Sequence, residues 1–247
     1  MKKRTKIIFA VAGALIGIIV IVAAVFIIRF KMETGKMSPI ETKELRPGVY
    51  AVNDSFVNMY LVRGIDSYIA LDAGNSPDAL KKEIDKLGID PAKVVAVFLT
   101  HSDGDHAGGL SLFPNAKIYL SKDEEQMING TTARMKGRHN KLEVKYETLA
   151  DGQQMEVSGL TVKCVVVPGH TPGAAVYQVN TELLFTGDAM GLKDGKAGLF
   201  SEVFNMDTPM QLKSVSKIAA IPGVKFIFTA HHGTTYDPVK AFKDRTL

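Results

Sequence analysis

The run Val94-Val95-Ala96-Val97-Phe98-Leu99 passes directly into Thr100-His101-Ser102-Asp103-Gly104-Asp105-His106-Ala107-Gly108-Gly109. Its first six residues are apolar without alternation, the pattern of a strand buried on both faces. The segment that follows carries four potential metal ligands, His101, Asp103, Asp105 and His106, within six residues. A loop leaving the end of a buried strand can aim several side chains at one point. Gly104, Gly108 and Gly109 let the backbone turn tightly there. Imidazole suits zinc and iron, and carboxylates complete hard or borderline sites.

The same context recurs three times downstream. His170 follows the run Thr161–Val167 in Pro168-Gly169-His170-Thr171-Pro172-Gly173. Asp188 follows Glu182-Leu183-Leu184-Phe185 in Thr186-Gly187-Asp188. His231 and His232 follow Lys225-Phe226-Ile227-Phe228 in Thr229-Ala230-His231-His232-Gly233. Five of the six histidines therefore stand at strand exits, and only His139 lies elsewhere, in a polar stretch. A single such histidine is ordinarily a hydrogen-bonded core or surface residue, and a single aspartate after a strand is ordinarily a turn residue or helix cap. The joint placement is what points to a metal centre.

Around these loops the chain alternates between β-rich and helical stretches. Val49–Val52, Val57–Val62 and Tyr68–Leu71 read as strands. Pro77–Leu87 reads as a helix, capped by Ser76 and stopped by Gly88. Lys117–Leu120 reads as a strand, Lys122–Ile128 as a short helix, and residues 129–143 as a surface loop. In the second half Met155–Val157, Thr161–Val167, Ala175–Val179, Leu183–Phe185 and Phe226–Thr229 read as strands, with helices over Pro209–Ala220 and Pro238–Lys243. Clustered strands with helices between the clusters favour stacked sheets flanked by helices.

The chain has 247 residues, of which 46% are hydrophobic and 23% charged, with one cysteine and no tryptophan. That composition is ordinary for a globular protein and excludes a disordered or disulfide-stapled chain. One cysteine, Cys164, can build neither an internal disulfide nor a Cys-rich zinc site. The net charge of +4 is concentrated at the start, since residues 1–36 carry +6 and the remainder −2. The body therefore lacks the basic footprint of a nucleic-acid-binding domain, and no nucleic-acid partner is expected.

From Ile7 to Ile28 run 22 residues without a charge. As a helix they span about 33 Å, enough for a hydrocarbon core of about 30 Å. The reading is a basic stub (1–6), a transmembrane anchor (7–28), a polar tether (29–46) and a folded domain (47–247). A cleaved signal peptide is the rival, but its apolar region is shorter and ends in a small-residue cleavage site, whereas Arg29-Phe30-Lys31 follows here. Lys2, Lys3, Arg4 and Lys6 precede the run, so the positive-inside bias puts the N-terminus in the cytoplasm and the body outside. Gly13 and Gly17 form a GxxxG, a weak pointer to a homodimer.

The succession H-x-D-x-D-H (His101–His106), PGHTPG (168–173), TGD (186–188) and a late histidine loop resembles the metallo-β-lactamase superfamily, over roughly residues 47–247. The strand entry at Asn58–Val62 and the turn Asp72-Ala73-Gly74 are also similar to that family, with Asp72 read as a structural or supporting residue. The resemblance implies an αββα sandwich of two mixed β-sheets flanked by helices, and a site for two divalent metal ions. Zinc is the first choice, with manganese or iron as alternatives. It implies that His101, Asp103 and His170 bind one ion, that Asp105, His106 and His231 bind the other, and that Asp188 bridges them. His231 is preferred to His232 because the family often reads Gly-His at that place. One departure matters: the family usually has a third histidine where Asp103 stands. Some domains attached to DNA-uptake channels are similar in this respect.

The activity so implied is metal-assisted hydrolysis of a small-molecule ester, thioester, lactone or phosphoester, with a metal-activated hydroxide that Asp105 helps to orient. The best-known zinc β-lactamases carry cysteine where Asp188 stands. The body has no room for the second domain of the family's nucleases or for an appended flavodoxin-like domain. Two readings of other classes remain: an iron-dependent oxidoreductase on the same scaffold, and a metal-binding module without turnover. Arg134, Arg138 and His139 face either an anionic substrate or solvent.

Overall fold

A computed structural model describes residues Lys3–Lys243. It contains an N-terminal helical unit, Met1–Met37, and a body, Ser38–Leu247; within the first, Met1 and Lys2 lie outside the described residues, as do 244–247 at the other end.

The first unit is one helix, α1 (Lys3–Thr34). Its stretch Val11–Thr34 is long and apolar enough to cross a membrane, with a mean hydropathy of 3.2 and none of it buried. The helix continues past the expected end of the apolar run because Arg29–Thr34 contains no breaker. It stops where Thr34 Oγ1 turns back to donate to Phe30 O (3.0 Å) and Gly35 follows.

The body is a four-layer αββα sandwich. One sheet has seven strands in sequence order: β1 (Lys43–Arg46), β2 (Val49–Asp54), β3 (Val57–Arg63), β4 (Tyr68–Leu71), β5 (Val94–Phe98), β6 (Lys117–Ser121) and β7 (Tyr146–Leu149). The other has six, ordered β15-β14-β11-β10-β9-β8. These are β8 (Gln154–Val157), β9 (Leu160–Val166), β10 (Ala175–Val179), β11 (Leu183–Phe185), β14 (Phe226–Phe228) and β15 (Thr234–Thr235). A small hairpin, β12 (Gly191–Lys193) with β13 (Lys196–Gly198), stands apart. The helices are α2 (Pro77–Lys86), two single turns α3 (Gly104–Ala107) and α4 (Glu125–Ile128), α5 (Thr208–Ala219) and α6 (Pro238–Lys243).

Period-two side-chain alternation sorts the residues into layers. Ile69, Leu71, Ala96 and Phe98 from the first sheet meet Val162, Cys164, Tyr177 and Phe185 from the second in one central core. The alternate residues Ala70, Val97 and Leu99 pack outward with Leu80 and Ile84 of α2. Val165, Val176 and Leu184 pack outward with Val215 and Ile218 of α5. Strand β5 is apolar throughout because both its faces are covered. Phe98 lies 5.3 Å from the Tyr177 ring, and the Tyr177 hydroxyl donates to Leu99 O at 2.9 Å. Burial pushes the Cys164 thiol up to about 12, so this residue is core and not a nucleophile at neutral pH.

Helix α2 begins as its sequence specifies. Ser76 accepts from Ala79 N, and Pro77 occupies the first turn, where no N–H is needed. The stretch given above as a tether differs from that reading. Lys43–Arg46 pairs antiparallel with β2, and Ser38 N donates to His231 O at 2.7 Å. Ile40 packs against the central core. These residues read as polar linker because β1 is an edge strand whose side chains stay largely exposed.

Strands β4, β5 and β6 run parallel. In the second sheet β9 is antiparallel to β10, β10 to β11, and β11 is parallel to β14, so β9, β11 and β14 share one direction. The loops after β4 and β5 thus leave one end of the first sheet, and those after β9, β11 and β14 leave one end of the second. A backbone bond from Ala175 N to Thr100 O (2.8 Å) joins these ends.

Candidate metal centre

Each loop at this end is held in shape by the backbone it can adopt. In Thr186-Gly187-Asp188, Gly187 has φ +50, and a Cβ there would lie 2.3 Å from Thr100 Oγ1. In Pro168-Gly169-His170, Gly169 has φ +140, and a Cβ would meet Gln211 N at 2.4 Å. Only glycine lets these turns pass so close to neighbouring elements, and each delivers the next residue into the same space.

The structure brings all seven sequence-derived candidates together. His101, Asp103 and His170 form one group of donor atoms, Asp105, His106 and His231 a second, and His101, His106 and Asp188 a third; within each, all donor atoms lie within 4.8 Å of one another. Asp188 turns one oxygen to each side: Oδ1 lies 3.1 Å from His231 Nε2 and 3.5 Å from His106 Nε2, while Oδ2 lies 3.4 Å from His170 Nε2. His232 lies outside these groups, its ring 5.6 Å from that of Phe200.

The imidazoles are oriented from behind. His106 Nδ1 is 2.9 Å from Asp72 Oδ2 and His231 Nδ1 is 2.6 Å from Phe56 O. His170 Nδ1 is 3.4 Å from Asn205 Oδ1. His101 Nδ1 is 3.0 Å from Thr100 Oγ1, and that hydroxyl donates its own proton to Asp72 Oδ2 at 2.9 Å. Every one of these partners accepts, so each Nδ1 carries a hydrogen and Nε2 is the ring atom turned to the cluster. Asp72 serves two of the four rings. It holds a left-handed backbone (φ 62) that an aspartate tolerates better than most side chains.

The donor set fits a pair of divalent cations. His101 Nε2, His106 Nε2, His231 Nε2 and Asp188 Oδ1 are buried with no hydrogen-bond partner among the described residues. Buried polar atoms rarely remain so unless a ligand satisfies them. Nitrogen and carboxylate oxygen in this ratio are the donors that zinc, manganese and iron accept.

The charges are coupled. Burial pushes the Asp188 carboxyl up, but His231, His106 and His170 outweigh it and hold the group well below the usual range. Burial opposes charge on His106 too, yet Asp188, Asp72 and Asp105 raise its pKa well above the ordinary value. His231 is likewise raised, to about 9, against its burial and chiefly by Asp188 and Asp105. Asp103 and Asp105 are lowered against burial by the histidines beside them. His170 goes the other way: burial lowers it, and Asp188 does not make up the difference.

Several residues at the site had no local signal. Glu124, fully buried, accepts from Ser102 N, Ser102 Oγ and Thr171 Oγ1, tying two of the loops together. Phe56 stacks on His231 at 5.8 Å, and Phe200 lies 5.2 Å from His231 and 5.4 Å from His170. Arg134 reaches Asp103 from the 129–143 loop, whereas Arg138 and His139 stay exposed.

Known proteins are similar to this chain. A family model described as the metallo-beta-lactamase superfamily matches residues 52–231. The hydroxyacylglutathione hydrolase of Aeromonas hydrophila is 29% identical over 191 residues, covering 75% of this chain and 64% of that protein. The hydrolase of the same name from Aeromonas salmonicida is 30% identical over the same shares. The chain thus spans less than two thirds of the length of these relatives. Among solved structures, a metallo-beta-lactamase with a HARLDQ motif from Cronobacter sakazakii superposes with a TM-score of 0.63 at 23% identity, over 81% of each chain. A metallo-beta-lactamase family protein from Thermus thermophilus gives 0.59 at 22% identity, over 80% of this chain and 78% of that one; at such identities the likeness concerns the fold. With the family match spanning the strands and loops that carry all seven donors, the chain belongs to the metallo-beta-lactamase superfamily.

Proposed function

We propose that this protein is a metal-dependent hydrolase of a small thioester or ester, held at a membrane by α1 with its body on the extracytoplasmic side. The observation that carries the reading is the common orientation of four imidazoles, each with Nδ1 anchored behind it and Nε2 turned to the cluster that Asp103, Asp105 and Asp188 complete. Divalent cations held by these donors would supply Lewis acidity and lower the pKa of a bound water toward about 7. His106, His231 and Asp105 hold one side of the centre, and His101, His170 and Asp103 the other, with Asp188 between them. Asp105, with a side chain 25% exposed, would hold a cation and orient the attacking water. Phe56 and Phe200 stack beside His231 and offer an apolar surface that suits an acyl group.

The choice of a thioester over a lactone or phosphoester is supported by the relatives' name, which describes hydrolysis of a hydroxyacylglutathione. Zinc is the proposed metal, with manganese and iron as alternatives. The membrane reading is supported by the length and hydropathy of Val11–Thr34, and the orientation by the cations that precede the apolar run.

The test is a panel of thioester, ester, lactone and phosphodiester substrates, run on the detergent-purified chain with elemental analysis of the same sample. Turnover of an acyl substrate that chelation abolishes and zinc restores is the expected result. Bound iron with oxygen consumption favours the oxidoreductase, and bound metal with no turnover on any class favours the non-catalytic module. Membrane fractionation with protease protection checks anchor and orientation.

A further inference from the structure

Three of the four imidazoles present a free Nε2 to the centre, and His170 does not. Its Nε2 lies 2.9 Å from Arg134 Nη2, and the same nitrogen of the arginine lies 2.6 Å from Asp103 Oδ2. The guanidinium has a complete seat. Nε approaches Asp103 Oδ1 at 3.4 Å, Nη2 also faces His170 O at 3.3 Å, and Nη1 donates to Phe204 O. The loop that carries Arg134 grips Asp103 a second time, through Asn140 Nδ2 at 2.8 Å from Asp103 Oδ1.

An imidazole nitrogen has one lone pair in the ring plane. With Nδ1–H turned to Asn205, the lone pair of His170 Nε2 goes either to an N–H of Arg134 or to a metal, never to both. The same competition holds, less strictly, for Asp103 Oδ2. The departure from the family's pattern at Asp103 thereby acquires a partner, because a neutral histidine there would offer no charge for a guanidinium to pair with.

We propose that Arg134 is a tethered cation that competes with metal for the Asp103–His170 side of the centre, so that the two sides fill with unequal affinity and the Asp105–His106–His231 side fills first. This rests on the reading of the cluster as a metal centre. Entry of the second ion requires the guanidinium to leave Asp103 and His170.

The experiment is calorimetric titration of the full-length, chelator-stripped chain in detergent with zinc ion, comparing wild type, Arg134→Ala, Arg134→Lys and His170→Ala. Two steps separated by at least about tenfold, or about 1.4 kcal/mol, are expected for wild type. Arg134→Ala tightens the weaker step at least about tenfold and leaves the tighter one unchanged. Arg134→Lys keeps the charge but loses the planar fork, and tightens it by a smaller factor. His170→Ala removes the weaker step alone, which assigns it to this side. Two equal steps in wild type, a weaker step unmoved by Arg134→Ala, or Arg134→Lys indistinguishable from wild type would overturn the competition while the metal centre stands. A wild-type chain that binds no zinc, manganese or iron would overturn the metal-centre reading and this inference with it.

Discussion

The two sides of the centre are built from the same kinds of donor, two imidazoles and a carboxylate each, yet their surroundings differ. On the Asp105–His106–His231 side both Nε2 atoms lie beside the carboxylates of Asp105 and Asp188, and the pKa values of His106 and His231 rise. On the Asp103–His170 side a guanidinium stands among the donors, and the pKa of His170 falls. A proton and a metal ion seek the same lone pair. The first side is an electrostatic trap for any cation, while the second already holds one supplied by the chain.

The largest effect that sharpens this contrast is at Asp105. Asp105→Ala should lower hydrolysis by at least about 10²–10³-fold, since the loss of one group stabilising the transition state costs that much, and should reduce metal content. Steady-state kinetics with elemental analysis checks it; full activity with full metal would remove Asp105 from the mechanism.

The next concerns pH in the metal-free chain. The pKa of His231 is about 9 when folded, above the roughly 6.5 of an unfolded histidine. Its contribution to stability is therefore complete below about pH 6.5 and is lost as the pH rises through 9, on the order of 3 kcal/mol. His106, raised for a similar reason, adds to the same trend, and His170, lowered by burial, opposes it near pH 6.5 and below. Melting of the chelated protein should fall between pH 7 and 9.5, whereas the zinc-loaded protein should show little change. Parallel curves for both forms would mean that protons and metal do not share these nitrogens.

Asp72 tests what the two sides have in common. It accepts from His106 directly and from His101 through Thr100, so Asp72→Ala should weaken zinc at both by about 10–100-fold. Loss confined to one titration step would show that only one ring depends on it. The smallest effect concerns the N-terminus. A chain beginning at Ser38 should keep its melting temperature and metal. One beginning at Pro47 loses β1 and Ile40 and should melt lower, by about 1–2 kcal/mol for the apolar burial lost. Equal stability of the two would return residues 38–46 to the status of a linker.

Much of this architecture is legible because it is local. The apolar run 94–99 has the pattern of a strand covered on both sides, and Ser76, Pro77 and Gly88 punctuate α2 where a helix starts and stops. The hairpin β12–β13, absent from the expected elements, carries a local signal too. Asp194-Gly195, both at positive φ, is a hairpin turn pair. The edge strands β1 and β7 had no such signal, since half-exposed edges carry mixed side chains. At the centre, each strand-exit histidine and aspartate could be found by its position, whereas Arg134 looks in sequence like any cation of a polar loop.

By itself the sequence determined which residue types stand at the ends of buried strands, and hence that imidazoles and carboxylates are available in the right number. Backbone preference and hydrophobic periodicity act over a few residues, so they are written in the chain order. Only the tertiary structure decided which nitrogen of each ring faces inward, that His231 and not its neighbour joins the cluster, and that a guanidinium 31 positions from Asp103 lies across one side of it. Those outcomes depend on parallel strand directions and on acceptors brought from distant loops, and no short-range rule encodes them.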